Sequence, residues 1–199
     1  AAVFGLILDI VESVSAAVTL KDVHVDYGPI HAVGDLTLEI PIGSSVAIIG
    51  PNGSGKSSLL KVIGDVIDPT SGTCDTAGAT TAIVLQSTDI DQSIPLTVRD
   101  VIAMARFPGL GLFRRPSAVD RTAIDSAMNR LEIAGLAHRQ IHQLSGGQRQ
   151  RAFVAQGLAQ DADILLLDEP LTGLDVRSRS IILSVLDDEH AAGRTVMTT

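Results

Sequence analysis

The sequence predicts an α/β fold: a mainly parallel sheet with helical crossovers, an antiparallel β portion ahead of it, and an all-helical insert in its middle. Three patterns predict this. Residues 46–49, 82–85 and 164–167 are short, uninterrupted apolar runs, the mark of strands buried on both faces of a parallel sheet. Residues 18–25 and 36–40 carry the β-branched alternation of half-buried antiparallel strands. After Gln86 the signals become those of helix starts, and strand character returns only near residue 164.

In chain order, residues 1–17 place Phe4, Ile7, Leu8 and Val11 at helical spacing, interrupted by Asp9 and Glu12, and read as a surface or docking helix. This N-terminal extension has no assignable role. The antiparallel pair follows, closed by a turn at Pro41-Ile42-Gly43. The first buried strand ends in Gly50, and a helix is expected from Ser57 to about Ile67, stopped by Asp68-Pro69-Thr70-Ser71-Gly72. Thr97 with Asp100, Ser117 with Asp120 and Ser145 with Gln148 each resemble a capping box, opening helices that run to Arg106, about Ile133 and about Gln160. Residues 107–116 form a Gly/Pro-rich loop between the first two. A strand at 164–167, a helix over 176–191 and a strand at 194–198 complete the chain. The expected division is a core of residues 18–86 and 161–199 around a helical subdomain of residues 87–160.

Composition narrows the function. With 199 residues, 45% apolar and 19% charged, the chain can bury a continuous core, and disorder or a fibrous repeat is excluded. A net charge of −8 argues against a surface that neutralises nucleic-acid phosphates, so any anion must be held locally. The single cysteine, Cys74, cannot form an internal disulfide and reads as a buried, inert thiol in a reducing compartment. No apolar run reaches the roughly 18 to 20 residues of a membrane span. The lack of an initiator Met suggests that the chain is a piece of a longer one.

Three motifs carry chemistry. Gly50-Pro51-Asn52-Gly53-Ser54-Gly55-Lys56-Ser57 fits G-x-x-x-x-G-K-[ST] between an expected buried strand and an expected helix, the context a phosphate-binding loop requires. Its glycines allow successive N–H groups to turn toward phosphate oxygens, the helix N-terminus adds positive potential, and Lys56 reaches the terminal phosphates. Ser57 offers a hydroxyl to Mg²⁺, and Ser58 extends the candidate nucleotide contacts one residue into the helix. The second motif, Ile164-Leu165-Leu166-Leu167-Asp168-Glu169, is an apolar strand ending in two carboxylates, where sites form in such sheets. Asp168 is placed to hold Mg²⁺ through water and Glu169 to orient or deprotonate an attacking water. The third is Leu144-Ser145-Gly146-Gly147-Gln148. Ser145 caps a helix, but capping does not explain two glycines in a first helical turn, which cost about 1 kcal/mol each relative to Ala. They leave bare backbone at a positive helix end, a second phosphate-facing surface.

Together and in this order, the phosphate loop, the LSGGQ pentapeptide and the LLLDEP strand resemble the nucleotide-binding domain of the ABC ATPases, over about residues 18–199. The resemblance implies a P-loop NTPase fold of ABC type, ATP and Mg²⁺ as cofactors, and a dimer. Two domains would sandwich two nucleotides, each held by the phosphate loop of one and the LSGGQ surface of the other. It further implies that Tyr27 stacks on adenine, although a strand-end tyrosine fits the same position. Gln86 would touch Mg²⁺ and the water and link the core to the helical insert, and Asp175 would signal between the two domains. The family also places a histidine directly after a strand resembling Thr195-Val196-Met197-Thr198-Thr199, where this chain stops. The expectation is therefore a C-terminally truncated form that binds ATP but hydrolyses it poorly.

Residues around the motifs narrow the subfamily. No coiled coil separates Lys56 from Ser145, unlike the chromosome-associated members, and a single motif set is present, unlike the tandem translation factors. A transporter subunit fits best: peripheral on the cytoplasmic face of the cell membrane, docked on a separate permease, and served by an extracytoplasmic solute-binding protein. Residues 107–120, with Gly111-Leu112-Phe113-Arg114-Arg115-Pro116-Ser117, resemble bacterial importers of manganese, zinc or chelated iron, though Arg114-Arg115 also reads as a solvated basic turn. A regulatory or structural ATPase module is the alternative. His138 and His142, four apart but with no acidic or Cys partner at ligand spacing, are expected to be surface or packing residues, and His24, His31 and His190 to be structural.

Overall fold

The computed structural model describes residues 5–6, 15–86, 95–107 and 117–199. These residues group into two compact units. The first is formed within Ala1–Leu85, Ala162–Glu169 and Asp188–Thr199, and the second within Gln86–Asp161 and Pro170–Asp187. The sequence boundaries had put residues 170–187 with the core; they group instead with the helical unit, where Arg177 forms an ion pair with Glu132 at 2.7 Å.

The first unit contains two sheets. Strands β2 (Ala16–Tyr27), β3 (Ile30–Pro41) and β5 (Ser71–Asp75) form an antiparallel sheet in the order β3-β2-β5. Strands β1 (Gly5–Leu6), β4 (Ser45–Ile49), β8 (Thr195–Thr198), β7 (Ile164–Leu167) and β6 (Thr81–Val84) form the other, in the order β1-β4-β8-β7-β6. The β4–β8, β8–β7 and β7–β6 pairings are parallel. Between the sheets' apolar faces lies one core, in which Val18, Leu20, Val23, Ile40, Leu60, Ile63 and Leu166 are buried. Helix α1 (Lys56–Ile63) contributes Leu59, Leu60, Val62 and Ile63 to it.

Four departures from the sequence expectations have identifiable physical causes. Residues 1–17 were expected to be helical, yet Gly5–Leu6 pairs antiparallel with Ile49 and Ile48, and Ala16 and Ala17 open β2. The edge of β4 not used by β8 presents backbone groups that need partners, and β1 supplies them; residues 1–4 and 7–14 lie outside the described residues. Helix α1 stops at Ile63, short of the expected Ile67, because Asp65 adopts φ 55° while Val66 N–H donates to Lys61 O at 2.8 Å, a Schellman-type closure. The polar run after Pro69 forms β5 rather than only a turn, since β2 offers it a pairing edge, with Leu20 opposite Cys74. Finally, β4 buries Val46 and Ile48 but exposes Ala47 and Ile49, whereas all four residues of β7 are buried. An uninterrupted apolar run therefore marked two-sided burial correctly in β7 and incorrectly in β4. Cys74 is half-buried rather than buried as expected, and that burial, with Asp75 and Asp65 nearby, pushes its thiol up to about 11, which favours the protonated form at neutral pH.

The second unit packs α2 (Val98–Ala103), α3 (Ala118–Arg130) and α4 (Gly146–Ala159) around Val98, Ile102, Ile124, Met128, Val154 and Ala155. All three predicted capping boxes are formed, with both reciprocal bonds present at Thr97/Asp100, Ser117/Asp120 and Ser145/Gln148. Arg106 ties two helix ends together: its Nε donates to Asp120 Oδ1 at 2.8 Å and one terminal nitrogen donates to Ala159 O at 3.0 Å, where the last carbonyls of α4 lack intrahelical partners. Helix α5 (Val176–Ala191) matches its sequence expectation, and only its final turn belongs to the first unit. Of the loop at 107–116, all but Phe107 lies outside the described residues.

Candidate functional site

The phosphate-loop residues join β4 to α1, and the backbone there is specified by close approach. Gly55 has φ 90°, and a Cβ at this position would fall 2.1 Å from Ala32 O, so neither the conformation nor the space admits a side chain. Gly55 is also the N-cap of α1, with no side chain bonding the first-turn N–H groups. The helix end is thus electropositive and uncapped by its own residues. Lys56 Nζ donates to Gly50 O and Pro51 O, both at 3.0 Å, which folds the ammonium back over the loop. Ser54 Oγ is buried without a partner among the described residues, and Asn52 and Gly53 are exposed at the rim. Ser57 is half-buried in the first turn of α1, and Ser58 Oγ donates to the Tyr27 hydroxyl at 3.3 Å. That bond places the tyrosine, the last residue of β2, beside the phosphate loop.

The two carboxylates stand at the end of β7. Asp168 continues the ladder, its N–H donating to Val84 O at 2.8 Å, and is only 5% exposed. Glu169 leaves the ladder with φ 48°, a left-handed conformation unfavourable to a residue with a side chain. Because β8 lies between β4 and β7, the phosphate loop and the carboxylates emerge from strands separated by one strand in a single sheet. Thr199 was not singled out in the sequence. Its Oγ1 accepts from Glu169 N at 2.8 Å and donates to Asp168 Oδ1 at 2.8 Å.

The LSGGQ residues belong to the second unit. Ser145 Oγ accepts from Gln148 N at 3.3 Å, and Gln148 Oε1 accepts from Ser145 N at 3.1 Å. The two glycines differ. At Gly146 a Cβ would meet nothing within 4 Å, whereas at Gly147 it would lie 2.4 Å from Ser178 Oγ and 2.7 Å from Asp175 Oδ2. Asp175 accepts from Ser178 N at 2.8 Å and from Ser178 Oγ at 2.9 Å, and these bonds hold its carboxyl below the usual carboxylate range. Thus the structure joins Asp175 to the LSGGQ helix, a contact the sequence reading did not anticipate. Gln86, exposed just after β6, also groups with this unit. Among the described residues no cluster of His, Cys, Asp or Glu could hold a metal ion; His24 pairs with Asp35 and His31 with Asp26 on the surface.

Residues 33–172 match the family model described as ABC transporter, a span that includes the phosphate loop, LSGGQ and the carboxylate strand. The chain belongs to this family. Among its relatives, this ABC chain is 38% identical over 173 residues to the manganese transport system ATP-binding protein MntB of Listeria innocua, covering 83% of the chain and 72% of the relative. It is 34% identical over 194 residues to the zinc transport system ATP-binding protein TroB of Treponema pallidum, covering 94% and 73%. An ABC transporter of metal-chelate type, solved in an inward-facing conformation, superposes with a TM-score of 0.81 at 29% identity, covering 92% of this chain and 73% of that one.

Proposed function

We propose that this ABC chain is the ATP-binding and ATP-hydrolysing subunit of an importer for manganese, zinc or chelated iron. The observation that carries the ATPase reading is the sheet order: phosphate loop and paired carboxylates on strands flanking β8. The cargo reading is supported by the manganese and zinc relatives, which are named for the metals they transport. No helix among the described residues is long and apolar enough to cross a membrane, which agrees with a subunit docked on a separate permease at the cytoplasmic face. An extracytoplasmic solute-binding protein would deliver the cargo.

In this reading, phosphate oxygens replace Gly50 O and Pro51 O as partners of Lys56, and the uncapped N–H groups of α1 complete the cradle from Gly50 to Ser58. Tyr27 stacks on the base. The orphaned Ser54 Oγ, the hydroxyl of Ser57 and the carboxylate of Asp168 suit a hard, oxygen-seeking cation. Bound Mg²⁺ would neutralise phosphate charge. Glu169 orients and deprotonates the attacking water, while Ser145, Gly146, Gly147 and Gln148 of a second domain, in a homodimer, close over the same nucleotide. Asp175, held against Gly147 in the structure, would report that closure from one domain to the other.

The test is recovery and transport together. Purified from its native membrane, the protein should bring with it a membrane-spanning partner, and vesicles containing both should take up Mn²⁺ or Zn²⁺ only with ATP. ATP turnover by a protein that recruits no membrane partner and drives no uptake would instead indicate a regulatory ATPase module.

A further inference from the structure

We infer that Thr199 is a positioning residue for ATP hydrolysis, its single hydroxyl setting the relative orientation of Asp168 and Glu169. The inference rests on the reading of those two carboxylates given above. Strand β8 lies between the strand that leads into the phosphate loop and the strand that ends in the carboxylates, so the residue at its carboxyl end is central to both. Thr199 is fixed there by its backbone, with N–H donating to Leu167 O at 3.1 Å. Its hydroxyl makes two bonds of opposite sense. It accepts the N–H of Glu169, and this bond directs its own proton to Asp168 Oδ1, each at 2.8 Å.

Each bond has a distinct task. Glu169 turns out of the β7 ladder at φ 48°, so its N–H points away from the regular sheet partners, and a left-handed residue with a side chain persists only where its surroundings hold it. The Thr199 oxygen provides that hold. On Asp168, occupation of one carboxylate oxygen by a hydroxyl donor stops the carboxylate from rotating freely and fixes how the other oxygen is presented. A residue without a hydroxyl would release both constraints at once, leaving binding by the phosphate loop untouched and the geometry of the water-activating group and the cation-holding group uncoupled.

Three variants, measured together, test this: Thr199→Val, which keeps the shape and removes the hydroxyl; Thr199→Ser, which keeps the hydroxyl; and Glu169→Gln. The expected result for Thr199→Val is a kcat lower by about 10- to 100-fold, the effect of losing hydrogen bonds to charged or strained groups. Its KM for ATP should stay within about twofold and its half-saturating Mg²⁺ concentration should rise; Thr199→Ser should recover most of the turnover. Thr199→Val with the kcat and Mg²⁺ dependence of the parent, alongside an inactive Glu169→Gln, would overturn the inference alone. So would a Ser variant as slow as the Val variant, because the methyl group and not the hydroxyl would then be required. A Glu169→Gln protein that turns over normally would instead refute the underlying assignment of Glu169. Should the Val variant fail to bind ATP for want of folding, Thr199→Cys, with a poor hydrogen-bonding group of similar size, is read by the same criteria.

Discussion

Two helix N-termini in this chain are proposed to face phosphate, and they are finished differently. At α1 the cap is Gly55, which has no side chain to give, and the first-turn N–H groups are left for a ligand. At α4 the cap is Ser145, whose capping box with Gln148 occupies the Gln148 N–H and leaves the backbone of Gly146 and Gly147 bare. The first has no side-chain cap; the second is partly capped from within and offers a bare glycine surface. Under the function proposed above, the difference teaches that the phosphate loop would hold a nucleotide unaided, whereas LSGGQ would act as a preformed lid on a nucleotide bound by another domain.

The comparison breaks first at Lys56. Lys56→Ala removes the cation from the unaided end, and nucleotide affinity, measured by equilibrium titration, should fall on the order of 100-fold. Equal loss from changes at LSGGQ in a monomeric preparation would contradict the asymmetry. A smaller effect separates the two glycines of the lid. Gly147→Ala drives a methyl group into Ser178 and Asp175 and should destabilise the protein by about 1–3 kcal/mol in denaturant titrations. Gly146→Ala meets nothing, so stability should change by less than about 0.5 kcal/mol while ATP turnover drops, because the added Cβ stands on the surface proposed to meet the second nucleotide.

The smallest expected effect concerns pH. Hydrogen bonds from Ser117 and Arg106, followed by the guanidinium charge, lower the Asp120 carboxyl from 3.8 to about 2. A depressed folded-state value means that the stabilisation is fully present above about pH 4 and lost as pH falls toward about 2. Denaturation midpoints followed over that acidic range should decline less steeply for Asp120→Asn than for the parent, and parallel curves would show that this pair contributes nothing to acid sensitivity.

Much of the site was legible because its parts are local. The three capping boxes, the phosphate loop and the carboxylate strand depend on residues within a few positions of one another, and each formed where the sequence placed it. What escaped depends on distant partners. Strand β5 exists because β2 lends an edge to a polar segment that by itself reads as a turn. The exposed face of β4 cannot be read from its composition, which matches that of the buried β7 in being wholly apolar after Ser45. Thr199 and the Gly147–Asp175 contact are joined only through tertiary structure. A strand ending in two hydroxyl residues, Thr198 and Thr199, was the available signal for the former.

The position of β8 also governs when the protein can become itself. Strands β4 and β7 share no ladder; each is paired on its inner side only to β8, which follows both of them in the chain. During synthesis the phosphate loop and the acidic pair therefore exist on separate pieces of sheet until the residues up to Thr199 have emerged, and long-range parallel pairing of this kind is slow to form. Nucleotide capture in the assembled geometry thus requires that β8 has paired, so a nascent chain interrupted before β8 does not hold the phosphate loop and the acidic pair in one sheet.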